Sequence, residues 1–171
     1  MKGYIQVYTG NGKGKTTASF GLALRAIGAG KKVFIGQFVK GQIYSEIRAI
    51  KDYCPNITIK QYGLECFIIN EPQQKDIDIA RQGLKEISEI ILSGKYDIVI
   101  LDEANIALYY TLFSVQELIN ILQKKPEDME IIITGRYAPP ELIEFADLVT
   151  EMKEIKHYYA AGVKAREGIE F

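Results

Sequence analysis

Thr9-Gly10-Asn11-Gly12-Lys13-Gly14-Lys15-Thr16-Thr17 follows directly on the apolar run Tyr4-Ile5-Gln6-Val7-Tyr8. A strand that runs into three alternating glycines and a Gly-Lys-Thr ending reads as a phosphate loop opening a helix. Gly10, Gly12 and Gly14 allow backbone angles closed to other residues and bring main-chain N–H groups close to an anion. Lys15 adds a point charge for the outer phosphates, and the Thr16 hydroxyl suits a bound Mg²⁺. The positive end of the following helix points at the same place. The strict pattern Gly-x4-Gly-Lys-Thr would put glycine at position 9, which here is Thr9, so the first glycine comes one place late. Lys13 adds a second cation inside the loop.

Working outward from the loop, apolar runs alternate with helical patterns to the end of the chain. Strands are expected at about residues 4–9, 32–39, 56–62, 97–102, 130–134 and 148–153. Ile98-Val99-Ile100-Leu101 and Ile131-Ile132-Ile133 are apolar throughout, as strands covered on both faces should be. Helices are expected at about 15–28, with Phe20, Ala23, Leu24 and Ile27 facing inward, and near 45–53. A long helix at 72–93 would open at Pro72, repeat at Ile77, Ala80, Leu84, Ile87 and Ile91, and stop at Gly94. Another would start at the capping box Ser114-Val115-Gln116-Glu117, and a short one at Pro139-Pro140. The tail after His157 has no clear period. The alternation calls for one α/β domain with a mainly parallel sheet and helices on both faces.

Composition narrows the function. The 171 residues carry 21 basic and 22 acidic side chains, net −1, which gives no electrostatic basis for nucleic-acid binding. No apolar run reaches the roughly 20 residues of a membrane span, and Met1-Lys2-Gly3-Tyr4 enters a strand with no room for a signal peptide. Cys54 and Cys66 match no metal spacing, so structural thiols and a cytoplasmic setting are expected. His157 is the only histidine, which argues against His-cluster metal sites and His-assisted nucleophiles. A half-buried ring is expected for it.

Ligands of a parallel sheet gather at the carboxyl ends of its strands. The second strand ends in Gln37, Lys40 and Gly41, the fourth in Asp102-Glu103, and the fifth in Thr134-Gly135-Arg136. Asp102 and Glu103 are the acids expected to serve Mg²⁺ together with Thr16. Spacing leaves open which acid binds the metal and whether Glu103 is a ligand or a base. Arg136 has two uses open to it, clamping a phosphate or pairing with Glu141, and Lys40 is similarly open.

Taken together, Gly10-Asn11-Gly12-Lys13-Gly14-Lys15-Thr16-Thr17, Gln37-Phe38-Val39-Lys40-Gly41, Leu101-Asp102-Glu103, Ile133-Thr134-Gly135-Arg136 and the ending Gly162-Val163-Lys164-Ala165-Arg166-Glu167-Gly168-Ile169-Glu170-Phe171 resemble the corrinoid adenosyltransferases of cobalamin synthesis and salvage. The resemblance implies a RecA-like phosphate-loop fold, usually as a homodimer, and a reducing partner such as a flavoprotein. It implies transfer of the 5′-deoxyadenosyl group of ATP to a Co(I) corrinoid with release of triphosphate, ATP lying in the sense opposite to that in kinases. The loop from Gly10 to Thr17 would bind ATP, with Lys13 and Lys15 stabilising the anionic leaving group.

Members of that family often carry Gly-Phe-x-Trp against the lower face of the corrin. Here the stretch reads Cys66-Phe67-Ile68-Ile69, and the chain has no tryptophan. Phe67 and Ile69 are therefore the corrinoid contacts that the resemblance implies, with the family's indole replaced. A phosphate-loop kinase or ATPase releasing ADP and a non-catalytic ATP-bound corrinoid carrier are the alternatives, separated by the phosphate product.

Overall fold

The computed structural model describes residues 2–64, 68 and 71–171. Six strands form one sheet: β1 (Ile5–Thr9), β2 (Val33–Phe38), β3 (Ile57–Tyr62), β4 (Ile98–Asp102), β5 (Glu130–Thr134) and β6 (Leu148–Glu151). Their order is β3-β2-β4-β5-β1-β6, and every pairing is parallel. This is the α/β arrangement of a RecA-like phosphate-loop domain. β1 and β4 are not neighbours, because β5 lies between them. The loop and the Asp102-Glu103 pair thus face each other across the end of β5.

Side-chain alternation along the strands feeds two cores. Ile5, Val7, Phe34, Val99, Leu101, Ile131 and Ile133 point to one face, where α3 (Gln74–Ser93), α4 (Ala104–Tyr109), α5 (Val115–Leu122) and α6 (Pro140–Phe145) pack. Val33, Ile35, Ile98, Ile100 and Ile132 point to the other, under α1 (Lys15–Gly28) and α2 (Ser45–Tyr53). Among the described residues no helix is long and apolar enough to cross a membrane.

Three differences from the expected elements have local causes. In α1, Ser19, Ala23 and Ala26 are buried, whereas Leu24 is 61% exposed. Small side chains let the helix approach the sheet closely, and that rotation also puts Lys15 inside. The long helix starts at Gln74 rather than at Pro72, because Gln73 and Asp76 cap it reciprocally. β6 stops at Glu151, after which Met152 bonds to the phosphate loop.

Candidate active site

The glycine spacing of the loop answers to the neighbouring strand as well as to an anion. The Gly12 N–H donates to the Met152 carbonyl at 2.6 Å. A Cβ on Gly10 or Gly12 would lie 2.5 or 2.6 Å from that same oxygen. Gly14, with φ 117°, turns the chain into α1. Asn11 and Thr17 stay exposed. Lys15, only 7% exposed, folds back over the loop and donates to the Gly10 and Gly12 carbonyls, each at 2.7 Å. Burial pushes its ammonium below the usual lysine value, with Glu103 opposing. The lysine is thus held against the loop by two of its carbonyls.

Opposite the loop, Asp102 is fully buried and saturated with donors. Its Oδ1 accepts from Thr16 Oγ1 at 2.8 Å and from Thr134 Oγ1 at 2.7 Å. Its Oδ2 accepts from Gln37 Nε2 at 2.9 Å and from Lys40 Nζ at 3.2 Å. Burial raises this carboxyl, but Lys40 and the donors outweigh it and hold it below its ordinary range. Glu103 differs. It sits at φ 57°, its N–H donates to Thr134 Oγ1 at 3.0 Å, and its carboxylate has Lys40 Nζ at 3.7 Å. Burial, with the Asp102 charge adding to it, raises the Glu103 carboxyl above its usual value.

Lys40 Nζ therefore stands among three oxygens: Asp102 Oδ2 and Glu103 Oε1, and Thr16 Oγ1 at 3.4 Å. This pairing lies inside the site and not on the surface, and Lys40 lines the cavity. Burial lowers its ammonium, but the two acids outweigh that and hold it above the ordinary value. A cation is already favoured where hard oxygens from a loop threonine and a strand-end acid converge, so these residues fit Mg²⁺.

The cavity above these groups holds about 470 Å³. Its lining combines polar Lys15, Thr16, Glu103 and Arg136 with apolar Val39, Ile68, Ile106 and Tyr110. Along residues 1–171 the chain matches the family described as ATP:corrinoid adenosyltransferase BtuR/CobO/CobP. The chain belongs to this family. It is 38% identical over 177 residues to the corrinoid adenosyltransferase of a Sinorhizobium species, covering 99% of this chain and 81% of that protein. Identity to the corrinoid adenosyltransferase of Escherichia coli K12 is 34% over 177 residues, with 99% and 86% covered. The corrinoid adenosyltransferase CobA of Salmonella typhimurium LT2 is 35% identical over 181 residues, again with 99% and 86% covered. The family is one of transferases.

Within this corrinoid adenosyltransferase fold, the remaining expected site residues divide. Thr16, Asp102, Glu103 and Lys15 come together. Arg136 lines the cavity, and among the described residues it makes no ion pair with Glu141. His157 is half-buried at the rim, its Nδ1 accepting from the Tyr159 N–H at 3.0 Å. Lys13 turns away from the loop's centre to the tail: Tyr158 Oη lies 2.9 Å from its Nζ and Glu170 Oε1 2.7 Å. Phe67 and Ile69, like Cys66, lie outside the described residues.

The apolar lining of the cavity carries no signal in the sequence. Ile106 and Tyr110 come from α4 and its C-cap, a helix of six residues whose N-cap is Glu103 in the left-handed region. No cap signature or repeat marks it. Gln37 and Thr134 were legible as strand-end polar residues, but their service to Asp102 appears only when β2, β4 and β5 are set side by side.

Proposed function

We propose that this chain transfers the 5′-deoxyadenosyl group of ATP to the cobalt of a Co(I) corrinoid, releases triphosphate, and uses Mg²⁺. The observation that carries this reading is a cavity lined both by Lys15 and Thr16 of the glycine-rich loop and by apolar Val39, Ile68, Ile106 and Tyr110, in a chain of this family. The cobalt electron pair forms the bond to C5′ as the bond from C5′ to the α-phosphate oxygen breaks, and the triphosphate leaves with the pair of that broken C–O bond. The substrate itself is the nucleophile, so the protein needs no base. Its work is to align C5′ and stabilise the anionic leaving group. Lys15 is released from the Gly10 and Gly12 carbonyls to the phosphates, with Arg136 opposite.

Mg²⁺ supplies charge neutralisation to the polyphosphate. Thr16 and Glu103 would hold it directly. Asp102 has both oxygens occupied by four protein donors, so its part is to accept the Thr16 hydroxyl hydrogen bond and leave that oxygen's lone pairs free to face the metal. The raised Glu103 carboxyl would also suit a water-activating base, the feature that favours an ATPase. A homodimer, a flavoprotein-type electron donor and a cytoplasmic site belong to the same proposal.

Product analysis tests it. With ATP, Mg²⁺ and chemically reduced cobalamin, a light-sensitive corrinoid and one triphosphate per turnover are expected. ADP as the main product, with no photolabile corrinoid, would replace this reading by the kinase or ATPase one. ATP binding without turnover of either kind would support a carrier.

A further inference from the structure

The ending Gly162–Phe171 is a motif of the resemblance that the proposed chemistry does not use, and together with Tyr158 the structure lays it against the glycine-rich loop. An ammonium group has three N–H bonds. Those of Lys13 meet Tyr158 Oη at 2.9 Å, the Ile169 carbonyl at 3.0 Å and Glu170 Oε1 at 2.7 Å. Glu170 is held from its other side by Arg166, whose backbone N–H donates to Oε2 at 2.8 Å and whose guanidinium lies 3.3 Å from each oxygen. The Tyr158 hydroxyl also bonds Glu170, and its ring lies under the Arg166 guanidinium at 5.0 Å.

Beyond Glu170 the tail reaches α2. Ser45 Oγ donates to the Phe171 carbonyl at 3.1 Å, and the Phe171 ring lies 6.5 Å from that of Tyr44. Residues 168–171 thereby line a second cavity of about 460 Å³ together with Thr16, Thr17 and Phe20 of α1. The two cavities share Lys13, Thr16, Lys40 and Glu170.

We propose that Lys13 is the anchor of this strap rather than a phosphate ligand, and that Glu170 is a positioning residue completing the wall of the nucleotide site. All three N–H bonds of Lys13 are spent on the tail, so a phosphate would have to break the strap to use them. The cluster of Lys13, Arg166 and Glu170 carries one net positive charge. The carboxylate thus sits beside a polyphosphate site without repelling it. The strap rests on the reading that the cavity binds ATP.

The test compares Lys13→Met, Glu170→Gln and the double variant with the unsubstituted protein. Folding is checked by circular dichroism, ATP affinity is measured by calorimetry, and tryptic cleavage after Lys164 and Arg166 is followed without nucleotide. If Lys13 acts through the tail, each single variant loses ATP affinity about tenfold, the size expected for one charge-assisted contact. The double variant loses no more than either, since both remove one clasp. Tail cleavage accelerates in all three.

Unchanged or tighter ATP binding by Glu170→Gln, beside a loss in Lys13→Met, would overturn the proposal and make Lys13 a direct phosphate ligand. Unchanged tail cleavage in both singles would overturn the clasp itself. Absence of ATP binding by the unsubstituted protein would instead count against the proposed function, and the cleavage arm would still decide the clasp.

Discussion

At the residue scale, the two adjacent acids end up with opposite characters through what each one faces. Asp102 is sealed among four donors, and Glu103 lines the cavity with Lys40 at 3.7 Å and the charges of Lys15 and Arg136 also acting on it. On the proposed reading their variants should separate cleanly. Glu103→Gln should raise the Mg²⁺ needed for activity, with high Mg²⁺ restoring part of it. Asp102→Asn should leave Lys40 without its closest anion in a nearly closed site, at a cost of about 3 kcal/mol of stability, and added Mg²⁺ should not restore activity. Denaturant melts and Mg²⁺ titrations read the two effects. Rescue of Asp102→Asn by Mg²⁺ would make Asp102 the metal ligand. The Asp102-Glu103 pair was visible in the sequence. The difference between its members was not, because it depends on Thr134 and Gln37 from strands that the chain reaches 31 residues later and 65 residues earlier.

At the element scale, two helical glycines have opposite surroundings. In α3, a Cβ on Gly83 would lie 2.5 Å from Cγ of Tyr62 on β3. In α1, a Cβ on Gly21 would meet nothing within 4 Å. Alanine favours a helix interior over glycine by about 1 kcal/mol, so Gly21→Ala should stabilise by up to about that amount. Gly83→Ala should instead show a net loss of about 1–2 kcal/mol, because overpacking against the ring exceeds the helical gain. Equal effects in thermal melts would show that Tyr62 yields freely. The same distinction between pattern and surroundings explains what was legible among the helices. The repeat from Ile77 to Ile91 and the Ser114–Glu117 box were strong enough to place α3 and α5. α4 is under two turns and lacks a side-chain cap, and the 3-10 turn Tyr158–Ala161 is shorter still.

At the scale of the whole molecule, the amino ends of β2 and β4, opposite the site, are tied by Asp97, which accepts from the Lys32 N–H at 2.8 Å and from Lys31 Nζ at 3.0 Å. The Lys32 backbone bond, then the Lys31 contact, hold its carboxyl below the usual range. Its contribution is complete above the unfolded aspartate value of about 3.9 and is lost as pH falls through the lower folded value. Asp97→Asn should therefore be less stable than the unsubstituted protein near neutrality, and the gap should close as pH falls below about 4. A gap that persists undiminished in acid would assign the loss to backbone geometry instead of charge. The strands of a mainly parallel sheet, the helices other than α4 and the glycine-rich loop followed from the sequence alone, since apolar period and glycine spacing are local properties of the chain. The tertiary structure decided the strand order that puts β5 between β1 and β4, the closure of Asp102 by Gln37, Lys40 and Thr134, and the return of the tail to Lys13. Each joins residues far apart in the chain, and no periodicity encodes a contact whose partners meet only after the sheet has formed.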